Sequence, residues 1–318
     1  MDKTIQILLN NDIPKIVYAG HNMRGIRCLE AISSNEQISV VASISQPVDK
    51  SENGYYSSIQ KTSENLKIPV YCPNNINNQE FIDDIIDTYN PDLCLLVGYP
   101  QIIKNNFFNK FSYGCINCHA SPLPLYRGAA PLNWALIRGE KQWGISIIKI
   151  DQGIDTGDIL AQDFFTISKN DTIKTLTEKV NALYPPLIIK TIMGMVKGHL
   201  NVIKQDTLSG SFCTKRFPDD GRIQWKTMNS IEIHNLVRAL TEPYPGAFTF
   251  YKGEKLKIWE TALVQEEYIG IPGRIAGLRD DGVIVIAKDR GLLVKKISPY
   301  NGSTNPRNVL NKIGSDLI

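Results

Sequence analysis

Residues 93–97, Leu-Cys-Leu-Leu-Val, form a continuous apolar run in a chain of 318 residues. A run without polar alternation is typical of a parallel strand that is covered on both faces. Strand-like runs at 15–19, 39–44 and 69–71 precede it, and segments with helical spacing, such as 79–89, lie between them. This alternation predicts an α/β fold with an open, doubly wound and mostly parallel sheet. In such a sheet, ligands bind at the carboxyl ends of the strands.

Composition and charge limit the possible functions. The formal net charge is +3, which is too small to indicate nucleic acid as a partner. No apolar run approaches the ~20 residues that span a bilayer. The first residues have neither a sustained apolar core nor a small-residue cleavage site. We therefore expect a cytoplasmic protein that does not enter a membrane.

The strand-like run at 115–119 ends in two polar side chains. Asn117 and His119 are two residues apart, so on an extended backbone they project from the same face. Pro122 and Pro124 follow at once and prevent the strand from continuing. We therefore expect the pair at the mouth of the cleft into which this strand leads.

A carboxylate is expected to complete the set. Asp155 lies in a loop rich in glycine and aspartate, between strand-like runs at 145–150 and 159–165. Asn117 can stabilise an oxyanion, His119 can move protons, and Asp155 can orient the imidazole and favour its charged form, which together suit acyl transfer. Each of these residue types alone is more often a capping or turn residue, so the interpretation depends on the set.

The six cysteines are scattered along the chain, as expected for free thiols in a reducing compartment. Cys115, Cys118 and His119 match the C-x-x-C-H pattern of c-type haem attachment. That attachment requires export, which the sequence does not signal, and a zinc site would need a second Cys/His pair. We therefore predict neither haem nor a metal ion.

The full string around these residues is distinctive. Residues 117–131 read N-x-H-x-S-x-L-P-x-x-R-G-x-x-P, and residues 151–158 read D-x-G-x-D-T-G-D. Together they closely resemble the folate-dependent formyltransferases, which pass a formyl group from 10-formyltetrahydrofolate to an amine. The resemblance implies that 10-formyltetrahydrofolate is the cosubstrate and that Asn117, His119 and Asp155 are catalytic. The family's usual S-L-L-P reads Ser-Pro-Leu-Pro here, which leaves these three residues untouched.

The same resemblance implies a pocket for the pteridine ring of the folate. One wall follows the apolar run at 93–97, and the loop that carries Asp155 closes the other side. Backbone amides and carbonyls can satisfy the polar edge of a pterin while apolar side chains cover its faces. The residues implied are Gln101, Ile102, Ile103, Asp151, Gln152, Gly153, Ile154 and Asp155.

The end of the chain has a different character. Strand-like pieces at 247–251, 256–259, 283–286 and 292–297 recur with turn signals between them, which predicts a small β-rich domain. The resemblance implies a Rossmann-like catalytic domain followed by an OB-like β-barrel. The predicted domains are residues 1–205 and 206–318.

A long helix is predicted before the domain boundary. It runs from Thr172 to about His199, with Asp171 as its N-cap. Pro185-Pro186 is expected to kink or split it. Residues 201–211 are interpreted as a linker.

The catalytic residues do not identify the amine that receives the formyl group. Residues 212–225 and 237–250 resemble the second domain of sugar-nucleotide formyltransferases, such as the enzyme that acts on UDP-4-amino-4-deoxy-arabinose. We therefore expect an amino sugar linked to UDP or dTDP, used for lipopolysaccharide O-antigen or another surface glycan. The residues expected to bind it are Gly20, His21 and Asn22, in the turn after the first strand, and Lys215 and Arg216.

Two other functions are weighed against this one. Methionyl-tRNA formyltransferase shares the two-domain plan and residues 127–131, and Ala129 stands where the arabinose enzyme has an arginine. However, residues 208–318 contain 16 Lys/Arg and 12 Asp/Glu, a mild excess for a protein that contacts RNA phosphates. The loop at 46–54 carries only Lys50 where the tRNA enzyme has a longer basic insertion.

The remaining candidate is a binding protein that keeps the fold without catalysis. The intact set of catalytic residues disfavours it. We expect no nucleic acid as a partner, and an exposed face of the β-rich domain would suit a homodimer.

Overall fold

The computed structural model describes residues 13–46, 58–206, 208–298 and 305–318, so the predicted polar loop at 46–54 lies outside it beyond Gln46. The chain forms two compact units that interleave in sequence. Of the described residues, unit 1 comprises those within 13–128, 144–165 and 179–212, and unit 2 comprises those within 129–143, 166–178 and 213–318. The predicted domain boundary after residue 205 stays a prediction.

The helices and strands follow the predicted alternation closely, and the ranges 39–44, 79–89 and 93–97 match without any shift. In chain order the elements are β1 (Lys15–Gly20), α1 (Asn22–Ser33), β2 (Ser39–Ile44), α2 (Ile59–Asn65), β3 (Val70–Tyr71), α3 (Gln79–Tyr89), β4 (Leu93–Val97), α4 (Asn105–Phe108), β5 (Cys115–His119), β6 (Arg127–Gly128), α5 (Pro131–Ile137), β7 (Gln142–Lys149), β8 (Ile159–Thr166), α6 (Ile173–Val196), β9 (Phe212–Cys213), α7 (Ser230–Leu240), β10 (Ala247–Tyr251), β11 (Glu254–Leu263), β12 (Ile275–Arg279), β13 (Gly282–Ile286) and β14 (Gly291–Ser298).

The sheet of unit 1 has seven strands in the order β3-β2-β1-β4-β5-β7-β8. Strands β1 to β5 pair in parallel, and β7 runs antiparallel to β5. All five residues of β4 are buried because β1 and β5 flank it and the sheet is covered on both faces. The predicted doubly wound, mostly parallel sheet is confirmed.

Helix α6 begins one residue later than predicted and is not split at its prolines, whereas the predicted kink there stays a prediction. It begins at Ile173, so Thr172 precedes it and accepts the N–H of Thr175 at 3.5 Å. Asp171 instead accepts the Ser168 N–H at 2.6 Å. The helix continues through Pro185 and Pro186 because buried residues lie on both sides of them. Those residues are Val180, Tyr184, Ile188 and Ile192. Among the helices of the described ranges, none combines the length and the apolar character needed to cross a membrane.

Unit 2 contains a five-stranded antiparallel sheet in the order β10-β11-β14-β13-β12. The four predicted strands are confirmed, whereas β12 and α7 were not predicted. The segment 315–318 bridges both ends of the sheet, since Phe250 and Ile318 exchange backbone hydrogen bonds and Leu317 donates to the Gly273 carbonyl at 2.8 Å. Helix α7 begins with a capping box between Asn229 and Glu232. The predicted β-rich domain is confirmed as an antiparallel sheet that this segment closes.

Candidate active site

Asn117 and His119 lie on β5, a central strand of the unit 1 sheet. Alternation along the strand places both side chains on one face, as predicted. His119 is at the carboxyl end of β5 and is only 6 % exposed, whereas Asn117 is half-buried. The sheet therefore holds both groups on rigid backbone.

The carboxylate of Asp155 meets this pair. Its Oδ1 accepts a hydrogen bond from Asn117 Nδ2 at 3.3 Å, and its Oδ2 accepts from the Gly128 N–H at 2.9 Å. The same Oδ2 lies 3.4 Å from His119 Nδ1, within ion-pair distance. The structure thus brings the three predicted catalytic residues into one cluster, across 38 residues of sequence.

The hydrogen-bond partners of His119 define its protonation pattern. Its Nε2 lies 2.8 Å from the carbonyl oxygen of Tyr126. A carbonyl can only accept, so this nitrogen carries a hydrogen. When Nδ1 is also protonated, both N–H groups face oxygen acceptors, the Tyr126 carbonyl and the Asp155 carboxylate. Each ring nitrogen therefore has an oxygen acceptor within reach.

The loop that carries Asp155 has a constrained backbone. Asp155 has φ +54°, in the left-handed region that non-glycine residues rarely adopt. Asp151 Oδ1 accepts from the Gly153 N–H at 3.0 Å and from the Thr156 hydroxyl at 2.7 Å, which ties the loop together internally. Such strain persists only where the surrounding structure enforces it.

Gly157 is required by close packing against the backbone of β7. A Cβ atom at this position would overlap the carbonyl oxygen of Lys149. We expect Gly157→Ala to lower the free energy of unfolding by about 3 kcal/mol, because neither backbone can move freely. Urea unfolding of the variant measures this loss.

Gly277→Ala is the matched control for this prediction. Its added Cβ would meet its nearest neighbours at 3.6 Å, an ordinary contact. We expect its urea midpoint to stay close to that of the unchanged protein. Equal midpoints for the two variants would contradict the packing argument at Gly157.

Gln205 was not singled out by sequence analysis, which placed it in a linker. Its Nε2 donates to the backbone carbonyls of Asp155 at 3.0 Å and Gly157 at 2.6 Å, and its Oε1 accepts from Arg127. No local pattern marks such a residue, because its partners are 48 to 78 residues away in sequence. Gln205 thus belongs to the surroundings of the cluster of Asn117, His119 and Asp155.

Residues 101–103, the first predicted wall of the folate pocket, include both exposed and buried side chains. The Gln101 side chain is bound to the preceding loop, where its Oε1 accepts from the Ile76 N–H at 2.9 Å. Ile102 is 73 % exposed, whereas Ile103 is packed in the core. The Gln101 side chain is thus held by the loop that contains Ile76.

The second predicted wall is the loop of residues 151–155. Asp151, Gln152, Gly153 and Ile154 are exposed. A cavity of about 400 Å³ borders this loop and is lined by residues of unit 1. They are Phe108, Asn109, Lys149, Ile150, Asp151, Gln152, Gly157 and Asp158. The loop therefore borders open space through Asp151 and Gln152, and it exposes the apolar side chain of Ile154.

Gly20, His21 and Asn22 lie at the carboxyl end of β1, the strand next to β4. The His21 N–H donates to the Val97 carbonyl at 3.2 Å, and Asn22 has φ +58°. A Cβ on Gly20 would lie 2.5 Å from the ring of Tyr18, so packing requires glycine there. This turn is thus at the same edge of the sheet as His119.

Lys215 and Arg216, the other predicted substrate-binding residues, lie in unit 2 and line a cavity of about 350 Å³. The Arg216 guanidinium lies 5.0 Å from the Trp134 ring centroid, and its Nε is buried without a hydrogen-bond partner among the described residues. Burial lowers the pKa of Arg216 from its ordinary value, while Asp220 acts in the opposite direction. The other lining residues are Ala129, Ala130, Asn133, Phe217, Pro218, Leu240, Tyr244, Pro245 and Gly246.

The cysteines of the C-x-x-C-H pattern are buried on opposite faces of β5. Burial raises the pKa of the Cys115 and Cys118 thiols well above its ordinary value. Neither thiol is therefore ionised or accessible at neutral pH. In the described ranges, no three His, Cys, Asp or Glu side chains come together as metal ligands.

Comparison with known families matches both parts of the chain. The model of the formyl transferase family matches residues 15–192, and that of the formyl transferase C-terminal domain matches residues 216–312. A methionyl-tRNA formyltransferase from Clostridium botulinum is 34% identical over 272 residues, covering 85% of this chain and 87% of its own. The bifunctional polymyxin resistance protein ArnA from Wigglesworthia glossinidia brevipalpis is 34% identical over 299 residues, which cover 93% of this chain and 44% of ArnA.

Solved structures share the fold. The sugar 3N-formyl transferase WlaRD, solved in the presence of dTDP and 5-N-formyl-THF, has a TM-score of 0.66 at 23% identity and covers 92% of this chain and 99% of its own. An N-formyltransferase from Helicobacter canadensis, in complex with folinic acid and dTDP-3-aminofucose, has a TM-score of 0.67 at 23% identity, covering 90% and 100%. At this identity the likeness concerns the fold alone.

Proposed function

The chain belongs to the formyltransferase family, and on this premise we propose that it transfers a formyl group from 10-formyltetrahydrofolate to the amine of a nucleotide-linked amino sugar. The observation that carries the formyl transfer is the cluster of Asn117, His119 and Asp155, held by β5 and the loop beside it. We also propose, from the sequence resemblance, that the product is used for lipopolysaccharide O-antigen or another surface glycan.

Each residue of the cluster has a role in this mechanism. The neutral amine attacks the formyl carbon, and negative charge develops on the formyl oxygen. Asn117 has a second N–H beyond the one given to Asp155, and this N–H, together with the positive charge of His119 when its ring is protonated, stabilises the charge on the formyl oxygen. Asp155 orients both groups. As the bond between the formyl carbon and the folate nitrogen breaks, that nitrogen receives a proton and the amine loses one. The proton passes through a water molecule, or His119 gives its own proton to the folate nitrogen and then takes one from the amine.

The loops beside the cluster fit a folate. Ile102 and Ile154 are 73 % and 59 % exposed, and large apolar side chains of this kind can cover the faces of a pteridine ring. The backbone of residues 101–103 and 151–155 would hold its polar edge. When bound, 10-formyltetrahydrofolate supplies the formyl carbon and a nitrogen leaving group.

The cavity in unit 2 supports a nucleotide-linked acceptor. Phe217 and Tyr244 are exposed aromatic rings beside the cations of Lys215 and Arg216. A nucleotide has a flat base that stacks on aromatic rings and a diphosphate that accepts hydrogen bonds from arginine. The buried Nε of Arg216, which has no hydrogen-bond partner in the part of the chain that the structure describes, is a donor of this kind.

We expect Arg216→Met to raise the KM for the sugar nucleotide about tenfold with little change in kcat, because a charge-assisted hydrogen bond is lost from binding. Steady-state kinetics with varied acceptor measures this. Arg138→Met is the control, since Arg138 at the end of α5 does not line the cavity. A KM that is unchanged in Arg216→Met would remove Arg216 from the acceptor site.

Methionyl-tRNA formyltransferase is the second candidate, and one surface of unit 2 favours it. On β10 and β11, Lys255 Nζ lies 3.7 Å from the ring centroid of Phe248, and Lys257 Nζ lies 5.3 Å from that of Trp259. Arg222 lies 5.2 Å from the centroid of Phe250. Phe248 is buried, but cations beside the half-buried rings of Phe250 and Trp259 suit a nucleic acid strand. The Clostridium botulinum relative carries this activity in its name.

A single experiment separates the two candidates. Formyl transfer from 10-formyltetrahydrofolate is measured with a panel of UDP- and dTDP-linked amino sugars and, in parallel, with charged initiator methionyl-tRNA. We expect turnover of one sugar nucleotide and none of the tRNA. Turnover of the tRNA alone would overturn the acceptor proposed here and leave the formyl-transfer cluster in place.

A further inference from the structure

We propose that Gln205 is a positioning residue for formyl transfer, which fixes the backbone of the Asp155 loop and thereby the place of the catalytic carboxylate. This inference depends on the roles proposed above for Asn117, His119 and Asp155. It concerns a residue in a segment without motif or regular structure. The contacts of its side-chain amide carry the inference.

All four hydrogen-bonding positions of the Gln205 amide are used. Its NH₂ group donates to the carbonyls of Asp155 at 3.0 Å and Gly157 at 2.6 Å. Its carbonyl oxygen accepts from Arg127 Nε at 3.1 Å and from an Arg127 terminal nitrogen at 2.9 Å. Because the backbone carbonyls can only accept and a guanidinium can only donate, the amide has a single satisfactory orientation.

Both supports of Gln205 are themselves fixed. Arg127 is fully buried, also donates to the Asp206 carbonyl at 3.3 Å and lies 5.3 Å from the ring centroid of Phe212. The backbone of Gln205 is anchored two residues earlier, where Ile203 and Ile159 exchange hydrogen bonds of 2.8 and 2.9 Å. The amide therefore reaches the loop from a rigid position.

The loop needs such a support because its conformation is unfavourable by itself. Asp155 has φ +54°, and in this conformation its carboxylate meets Asn117, His119 and the Gly128 N–H. Without the two hydrogen bonds from Gln205, the peptide at Asp155 can relax and move the carboxylate. A displacement of about 1 Å in a catalytic group costs on the order of 100-fold in rate.

Gln205→Glu removes the two hydrogen bonds to the loop carbonyls of Asp155 and Gly157 but keeps the contact with Arg127. The glutamate keeps an acceptor for the guanidinium but places a carboxylate oxygen against two carbonyl oxygens. We expect kcat to fall about 10- to 100-fold while the KM of either substrate changes less than about threefold. Gln205→Met removes the hydrogen bonds to the loop and those from Arg127, so its kcat should fall by at least as much. Gln142→Glu, an exposed glutamine at the start of β7, is the matched control and should leave kcat unchanged.

A double-mutant cycle tests whether Gln205 acts through Asp155. If it does, adding Gln205→Glu to the Asp155→Asn variant should lower kcat by less than about a further twofold. If Gln205→Glu lowered kcat by the same factor in the unchanged protein and in the Asp155→Asn variant, the effect would be a general structural one and the proposal would be overturned. The proposal would also be overturned if Gln205→Glu alone left kcat unchanged.

A readout without substrate keeps this test separate from the proposed function. The Gly128 N–H donates to Asp155 Oδ2, so its hydrogen exchange in Gln205→Glu should be about tenfold faster if the carboxylate is displaced. An unchanged rate of hydrogen exchange at Gly128 would overturn the positioning role of Gln205, whichever amine receives the formyl group. If only tRNA is turned over, the same kinetic comparison is made with tRNA.

Discussion

Replacing His119 by alanine is expected to lower kcat about 1000-fold, because proton transfer and the positive charge beside the developing oxyanion are lost together. The ring is almost fully buried and lies between the Tyr126 carbonyl and the Asp155 carboxylate. It therefore cannot be replaced by a neighbouring side chain. Single-turnover kinetics with the acceptor identified by the substrate panel measures the chemical step directly.

His199→Ala is the matched control for this loss. His199 is exposed, just beyond the end of α6, and has no part in the proposed mechanism. We expect the control to turn over at the rate of the unchanged protein. If His119→Ala also kept near-normal turnover while folded by circular dichroism, His119 would be removed from the mechanism.

Asp155→Asn is expected to lower kcat by about 1000-fold as well, through loss of orientation and charge. The two oxygens of Asp155 face donors only: Asn117 Nδ2 at one, and the Gly128 N–H and the His119 ring at the other. An asparagine has one oxygen and one NH₂ group, so either orientation places its NH₂ against a donor.

The substitution of Asp155 leaves the backbone in place. Asparagine tolerates positive φ nearly as well as aspartate, so the loop can keep its φ of +54°. A urea midpoint close to that of the unchanged protein should therefore accompany the loss of turnover. Asp87→Asn, on the exposed side of α3, is the control. Full turnover by Asp155→Asn would mean that the carboxylate orients neither Asn117 nor His119.

Local patterns in the sequence were sufficient for much of the fold. The strands 39–44 and 93–97 and the helix 79–89 were predicted to the residue, since their apolar periodicity is set by neighbours along the chain. The common face of Asn117 and His119 also follows from strand geometry alone. Likewise, the motif loops at 117–131 and 151–158 were sufficient to indicate the family.

Tertiary structure decided whatever depends on distant contacts. Packing on both sides of Pro185 and Pro186 keeps α6 continuous against the local preference of proline. Gln205 reaches Asp155 across 50 residues and Arg127 across 78, so no periodicity or motif could mark it. The sequence by itself determined which groups are available for formyl transfer. Only the folded sheet and the segment beside it determine where the Asp155 carboxylate lies, because its position depends on contacts that are distant in sequence and on a backbone conformation that is unfavourable alone.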